Sequence, residues 1–501
     1  MMVVKTQASQ ALDTLLLGIA DAPAVPVSGF AIDHRDVTQG FAFCALQGHT
    51  RHGIEFANDA RANGAVALLT DLPADDARLA NVRLPVVCLP NARHAIGRIA
   101  ARFYANPTRQ MQVIAVTGTN GKSSISWLIA GAFSQLNVQA GLSGTLGSGT
   151  QSALQPQSLT TTDAISLQRE ARRLADEQVE KWTLEASSHA IDQQRLAGAD
   201  IDVAVFSNLT RDHLDYHRDM EAYFEAKAAL FDVETLSARI VCVDDRYGAR
   251  LAARHHARVW QVSTTPMAAN GRPDCFVFAD SVSARADGLQ FDVVSHCGRA
   301  RIDAPLVGHF NVQNLLLAMA VLLQQGIAID DAAAALSQVT APPGRMQRIG
   351  RQQPAVYVDF AHTPDALSKS LETLNEHCIG DIWCVFGSGG DRDRGKRAPM
   401  AAAAEGGADH LILTSDNPRS ESPLAIIDDM REGLVDATPV IEVDRARAIE
   451  FAIANARADD CVLIAGKGHE TTQTIGERRL PFDDAVTARL ALNRAGKGES
   501  T

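Results

Sequence analysis

Paired cysteines, excess basic charge and long apolar runs are all scarce in this chain, and each absence removes a class of function. The eight cysteines (Cys44, Cys88, Cys242, Cys275, Cys297, Cys378, Cys384 and Cys461) form no C-x-x-C, which argues against a zinc framework or a disulfide scaffold. Lys and Arg total 47 against 59 Asp and Glu, a net charge of −12 over 501 residues. No nucleic-acid partner is expected, because such a partner requires a basic face; a small anionic substrate in a local basic pocket stays open. The run "LDTLLLGIA" near the start is too short to span a bilayer and has a single basic residue, Lys5, ahead of it, so neither a membrane helix nor a secretory signal is read there. No later segment is long and apolar enough. With 46% hydrophobic and 21% charged residues, the composition is that of a folded globular protein. The expectation is a reduced, cytoplasmic protein with no membrane partner.

The length suggests roughly three domains. Short strands ("VALLTD", "VVCLP") and a helix ("HAIGRIAARFY") fill the first hundred residues, and "ANPTRQ" resets the chain. The runs "VIAVTGT", "WTLEASS", "VAVFSNLT" and "RIVCVDD" then read as buried parallel strands spaced by helical lengths. A second break falls at "APPGRM", after which "AVYVDFA", "IWCVFGS", "HLILTSD" and "CVLIAGKG" repeat the pattern. This predicts an α/β protein: a small N-terminal α/β domain over 1–107, a central P-loop mononucleotide-binding parallel sheet over 108–340 and a C-terminal Rossmann-like sheet over 341–501. Nearly every polar cluster follows a strand, where open α/β sheets bind ligands, so the three domains are expected to share one composite site. The final "AGKGEST" reads as disordered.

The segment "IAVTGTNGKSSISWLIAGAF" resembles a phosphate loop whose first glycine is missing. The G-x-x-x-x-G-K-[ST] pattern places a glycine five residues before Gly121, but Val116 stands there, and Gly118 gives the tighter G-T-N-G-K-S. Backbone amides at a helix start bind phosphate oxygens, Lys122 would offset phosphate charge, and the Ser123 hydroxyl is of the type that ligates Mg²⁺. Glu185 ends the buried run "WTLEASS", a costly place for a carboxylate unless it meets a metal or another partner. His213 and His217, four apart, suit zinc on a helix, but no third ligand motif accompanies them. Lys227 in "EAYFEAKAALF" has Tyr223, Phe224, Leu230 and Phe231 on its own helical face. It either snorkels to water or lies buried as a free amine, a form that takes up CO₂ as a carbamate.

Taken together, "GTNGKSS", "EASSHAIDQQR", "SNLTRDHLDYH", "YFEAKAALF", "GHFNVQNLLLA", "PPGRMQ", "VDFAHTPDAL", "GSGGDRDRGKR", "SDNPRSE" and "AGKGHE" resemble, in order and across the whole chain, the motifs of the Mur ligases. These are ATP-dependent amide-forming enzymes of bacterial peptidoglycan synthesis. The resemblance implies that Gly118, Thr119, Asn120, Gly121, Lys122, Ser123 and Ser124 hold ATP phosphates, with Asn311, Arg345 and Asp359 on adenine and ribose. It implies two Mg²⁺ sites, one on Ser123 and Glu185, the other on His213 and a carbamylated Lys227. Lys122, Lys227, Glu185 and His213 would then carry catalysis. Ile32, His34, His49, Thr50, Arg51, Thr160, Thr161, Thr162, Ser187, Gln193 and Arg195 resemble positions that bind the UDP-sugar peptide. Arg392, Asp416, Asn417, Pro418, Arg419, Gly466 and Glu470 resemble the amino-acid pocket.

Within the family, the D-N-P-R of "SDNPRSE" resembles the branch that adds meso-diaminopimelate to UDP-N-acetylmuramoyl-L-alanyl-D-glutamate through an acyl phosphate. Diaminopimelate differs from lysine by a second carboxylate, which an arginine fork binds bidentately; lysine would leave that arginine unpaired. One departure is "IDHRDV", where His34 stands in place of the family's usual serine. A lysine-adding or folylpolyglutamate-type ligase is the rival within this chemistry, opposed by D-N-P-R and by the uridine-type loop "QGHTRHG". A P-loop switch protein is the rival outside it, opposed by the absence of N-K-x-D and of a full Walker loop. A monomer is expected.

Overall fold

The computed structural model describes residues 8–48, 50–255, 259–268, 272–285, 287–350 and 353–496. His49 and the tail from Lys497 onward lie outside the described residues. The chain folds as two compact units, 1–261 and 262–501.

In the first unit, a parallel four-stranded sheet runs Gly29–Ala31, Phe41–Ala45, Ala67–Thr70, Val86–Cys88. The amphipathic helix Ala92–Phe103 buries Ile96, Ile99 and Phe103 against one of its faces. Gly97 of that helix meets the 197–198 loop so closely that a Cβ would overlap the Ala197 carbonyl, which explains glycine inside a helix despite its cost.

The central sheet of this unit places Gln112–Thr117 between Val203–Phe206 and Lys181–Glu185, with Ala238–Cys242 and Ala140–Gly144 outside them. All five strands are parallel, and Gly147–Gly149 adds an antiparallel edge. Val113 to Val116 and Val203 to Phe206 are wholly buried, as strands covered on both faces must be, and their β-branched composition fits that place. Helices follow the strands: Lys122–Gln135 opens after Gly121 (φ +88°), while Asp163 and Asp219 cap Ala164–Asp176 and Met220–Ala228 by accepting from backbone N–H groups.

In the second unit the sheet order is Gln347–Ile349, Ala355–Asp359, Cys461–Ala465, Ile382–Phe386, His410–Leu413, Val440–Ile441, parallel except for the first strand. Alternate residues feed two cores: Tyr357, Cys384, Phe386 and Leu463 on one face, Val356, Val358, Val385 and Ile464 on the other. The strands read from the apolar runs are therefore present. The sequence reading missed an antiparallel ribbon, Phe276–Arg285, Gly288–Ser295 and Gly298–Ala304. The inward–outward alternation of "GLQFDVVS" is the signal that identifies it.

Candidate active site

The phosphate-type loop leaves the carboxyl end of Gln112–Thr117. Gly118 adopts φ +139° and Gly121 φ +88°, conformations that side chains rarely tolerate; a Cβ on Gly118 would also overlap Ser207 Oγ. The segment after Val203–Phe206 braces the loop. Thr119 N donates to the Asn208 carbonyl at 2.8 Å, Asn120 N to Asn208 Oδ1 at 3.1 Å, and Ser207 Oγ to the Asn120 carbonyl at 2.6 Å. Lys122 Nζ donates to the Gly118 and Thr119 carbonyls at 3.0 and 2.9 Å. Ser124 sits half-buried in the first turn of the helix.

Glu185 is 2% exposed. Its Oε1 accepts from Ser123 Oγ and Thr145 N, both at 2.8 Å, and its Oε2 from Thr145 Oγ1 at 3.3 Å. A Cβ on Gly144 would overlap this carboxylate. Ser123 and Glu185 are thus adjacent oxygen donors of the kind Mg²⁺ takes alongside phosphate oxygens and water. Among the described residues no group of three or more His, Cys, Asp or Glu side chains is placed to hold a metal ion.

Lys227 is 1% exposed, and its Nζ donates to the Gly118 carbonyl at 2.8 Å and lies 4.7 Å from the Tyr223 ring. Burial, then the charge of Lys122, push its ammonium well below the ordinary lysine range, with Asp212 only partly opposing. The snorkelling alternative is excluded. Its helix ends at Ala228, so Leu230 and Phe231 follow in a 3-10 turn rather than on one α-helical face. His213 and His217 lie in turns before that helix, not on a helix. His213 adopts φ +52°, while His217 is buried with Nε2 2.9 Å from Ser188 Oγ. The His213 ring is 5.0 Å from His189 and 6.0 Å from Tyr223.

Five of the sugar-peptide candidates, Thr160, Thr161, Ser187, Gln193 and Arg195, form one connected network. Thr161 Oγ1 donates to the Glu185 carbonyl at 2.6 Å and accepts from Ser187 N at 3.1 Å, and Arg195 Nη1 donates to the Thr161 carbonyl at 2.8 Å. Arg195 Nη2 meets Gln193 Oε1 at 2.7 Å, and Gln193 Nε2 donates to Tyr216 OH at 3.1 Å. Thr160 Oγ1 reaches Thr145 Oγ1 at 3.1 Å, joining this network to Glu185. Thr160, Thr161, Thr162 and Glu185 line a small cavity with Gln157, Glu170 and Trp182. In the short helical turns after two strands of the N-terminal sheet, His34 stacks on Phe56 (4.5 Å, 3°), and the Arg51 guanidinium lies 5.0 Å from the same ring. Arg51 also pairs with Glu55, Ile32 is half-buried against the core, and Thr50 is exposed.

In the second unit, Asn311 is buried at the start of Phe310–Gln324, bonded to the Val307 carbonyl and to Asn314. The Asp359 carboxylate accepts from Met346 N at 2.9 Å and Ser370 Oγ at 2.6 Å. Arg345 lies over the Phe360 ring at 4.9 Å rather than on Asp359.

The amino-acid candidates converge at the carboxyl ends of Ile382–Phe386, His410–Leu413 and Cys461–Ala465. A Cβ on Gly389 would stand 3.1 Å from Arg419 Nη1 and 3.7 Å from Arg392 Cγ, and one on Gly466 2.7 Å from Asp416 Oδ2. Asn417 Nδ2 donates to Asp416 Oδ1 at 3.0 Å and Glu470 Oε2 at 2.8 Å. Pro418 takes the following turn by accepting from Glu421 N at 3.0 Å. Arg419 adopts φ +50°, held there because its N–H donates to the Thr474 carbonyl at 3.0 Å and its carbonyl accepts from Gly476 N at 2.6 Å. An arginine in the left-handed region costs about 1 kcal/mol or more and persists where its surroundings enforce it. Its Nη1 donates to the Gly390 carbonyl at 2.6 Å. Among the described residues no carboxylate pairs with its guanidinium, whereas neighbouring Arg397 pairs with Glu421 and Asp429.

Three segments match the Mur ligase family: 26–104 its catalytic domain, 116–322 its middle domain and 344–468 its glutamate ligase domain. The chain belongs to the Mur ligase family. It is 42% identical over 473 residues to the UDP-N-acetylmuramoyl-L-alanyl-D-glutamate–2,6-diaminopimelate ligase of Coxiella burnetii, covering 93% of this chain and 96% of that one. It is 43% identical over 489 residues to the ligase of the same name from Xylella fastidiosa, covering 97% of each. A solved structure of an enzyme so named superposes with a TM-score of 0.74 at 37% identity, over 97% of this chain and 99% of that one. The α/β fold in three domains that the motifs led us to expect is the Mur ligase fold.

Sequence reasoning missed several residues that contact the candidates within each unit. Thr145 and Gly144 shape the place of Glu185, Ser207 and Asn208 brace the phosphate loop, Phe56 joins His34 to Arg51, and Lys467 underlies Asn417. The motif "SNLTRDH" carried a signal for two of them. Thr145 and Phe56 lie outside any motif read from the sequence.

Proposed function

We propose that this Mur ligase adds meso-diaminopimelate to UDP-N-acetylmuramoyl-L-alanyl-D-glutamate, using ATP, in peptidoglycan precursor synthesis. The observation that carries the choice of amino acid is Arg419: a guanidinium without a carboxylate partner among the described residues, beside Arg392 and near the acids Asp416 and Glu470. A substrate with a distal carboxylate supplies the counter-charge that Arg419 lacks, whereas lysine leaves that arginine unpaired. The names of the relatives support the same reading.

In the first step the terminal carboxylate of the sugar peptide attacks the γ-phosphorus of ATP, giving an acyl phosphate and ADP. The amine of diaminopimelate then attacks the acyl carbon, and the tetrahedral intermediate expels phosphate to leave the amide. Such transfers need positioning and charge neutralisation more than covalent help from the protein. Lys122 and the loop amides offset phosphate charge, and the network of Thr161, Ser187, Gln193 and Arg195 orients the sugar peptide. Ser123 and Glu185 would hold one Mg²⁺, and His213 with Lys227 as its carbamate a second; bound there, Mg²⁺ supplies positive charge against the phosphates. The amine of Lys227 forms the carbamate by adding to CO₂ and losing a proton, for which it must first be uncharged, as its burial favours. Asn311, Arg345 and Asp359 are assigned to adenine and ribose, and Ile32, His34, His49, Thr50 and Arg51 to the UDP end. The domain limits proposed are 1–107, 108–340 and 341–501, and the matched family segments fall within one each. A cytoplasmic monomer fits this role. Among the described residues no helix is long and apolar enough to cross a membrane.

The test is phosphate release by the purified protein with ATP, Mg²⁺ and the sugar peptide. Release dependent on meso-diaminopimelate is expected. Release with lysine alone would overturn the substrate, and release with no amino acid would overturn the ligase.

A further inference from the structure

Lys467 is wholly buried, yet it lies within three residues of the amino-acid pocket's Glu470. Its Nζ donates to the Thr472 carbonyl at 2.8 Å, to Glu470 Oε2 at 3.0 Å and to Asn417 Oδ1 at 3.4 Å. An ammonium has three hydrogens, so its donors are fully used inside the protein and none is left for a ligand. Asn417 Oδ1 also accepts from Thr474 N at 2.9 Å. Two donors aimed at that atom require it to be the oxygen, which fixes the amide orientation. The Asn417 NH₂ must then face the two carboxylates, Asp416 Oδ1 and Glu470 Oε2, that it bridges. Lys467 thus acts on the charge of Glu470 and shares the orientation of Asn417 with the Thr474 N–H.

We propose that Lys467 is a positioning residue for the incoming amino acid, setting the spacing of Asp416, Asn417 and Glu470 from beneath the pocket without touching substrate. The assignment rests on the reading that this pocket takes diaminopimelate. Burial pushes the Glu470 carboxyl up, but the charge of Lys467 and hydrogen bonds from Asn417 and Lys467 hold it below its ordinary range. Loss of Lys467 therefore lets Glu470 protonate at a higher pH, while the Thr474 N–H still holds the Asn417 amide.

The experiment is a double-mutant cycle of Lys467→Met and Glu470→Gln, reading KM for diaminopimelate, ATP and sugar peptide separately, with kcat/KM for diaminopimelate followed against pH. The expected Lys467→Met result is a KM for diaminopimelate raised at least about tenfold, those for ATP and sugar peptide within about twofold, and an acid limb shifted to higher pH. Should Lys467→Met strand the Glu470 charge and fail to fold, the double variant, which removes both charges, decides. Its KM for diaminopimelate should stay within about twofold of that of Glu470→Gln alone, because Thr474 still orients Asn417 and the rest of the Lys467 effect runs through Glu470. Independent multiplying effects, equal changes in all three KM values, or unfolding of both Lys467 variants would overturn the proposal. If the wild-type protein responds to a different amino acid, the diaminopimelate reading fails by itself, and the same cycle run with that amino acid still decides the role of Lys467.

Discussion

Two lysines in this molecule are buried to the same degree and meet opposite chemical surroundings. Lys467 neutralises a carboxylate at 3.0 Å and fills its remaining hydrogen bonds. Lys227, equally hidden, has a backbone carbonyl at 2.8 Å, and among the described residues no carboxylate within ion-pair distance. Burial alone does not decide what a lysine does. With a counter-charge the ammonium is a fixed strut; without one, desolvation favours the neutral amine, a nucleophile. Arg445 repeats the first case: it is fully buried and bidentate to Asp484 at 2.8 and 2.7 Å, while it also donates to the Ala465 carbonyl just ahead of Gly466.

The largest effect expected from this contrast is on activity. Lys227→Ala should lower kcat by about a thousandfold, the scale for removing one electrostatic stabiliser, and an added short-chain carboxylate should restore part of it; no restoration would count against the carbamate. The next is on stability. Asp484→Asn leaves Arg445 charged and unpaired and should cost about 3–5 kcal/mol in urea unfolding, whereas Lys227→Met, which strands no charge, should cost under about 1 kcal/mol. Equal losses would erase the distinction between the two regions. Arg419→Ala should reduce kcat/KM for diaminopimelate by about a hundredfold, equivalent to about 3 kcal/mol, with the KM for ATP unchanged. A matching loss in ATP binding would make Arg419 structural.

The smallest is a pH effect. Below the ordinary lysine pKa of 10.5, the unfolded chain carries a proton on Lys227 that the folded one, its value lowered, does not. Stability then rises with pH from the folded value toward 10.5, by up to about 1.4 kcal/mol per unit. In CO₂-free buffer the wild type should gain more stability than Lys227→Met between pH 8 and 10, to be read as the difference between their unfolding midpoints.

How much of this was legible beforehand depends on whether the cause was local. The strands before Gly118, Glu185, Asp359 and Asp416 announce themselves by short β-branched runs, and the tight glycine loop by its spacing. That Lys227 is buried could only be offered as one of two outcomes, since its apolar neighbours suit a snorkelling stem as well as a sealed amine. Lys467 stands in the quoted motif "AGKGHE", yet its role depends on Asn417, fifty positions earlier, meeting Glu470 and Thr472 in space. Thr145 is similar: a hydroxyl and an N–H on Glu185 from forty residues away. His213 went the other way, because spacing suggested a helix where the left-handed backbone makes a turn.

The most direct measurement of the contrast is ¹³C NMR of the protein equilibrated with ¹³C-bicarbonate and Mg²⁺ at about pH 8. One carbamate resonance is predicted, absent from Lys227→Arg and retained in Lys467→Met. No resonance in the wild type, or one that survives loss of Lys227, would contradict the account.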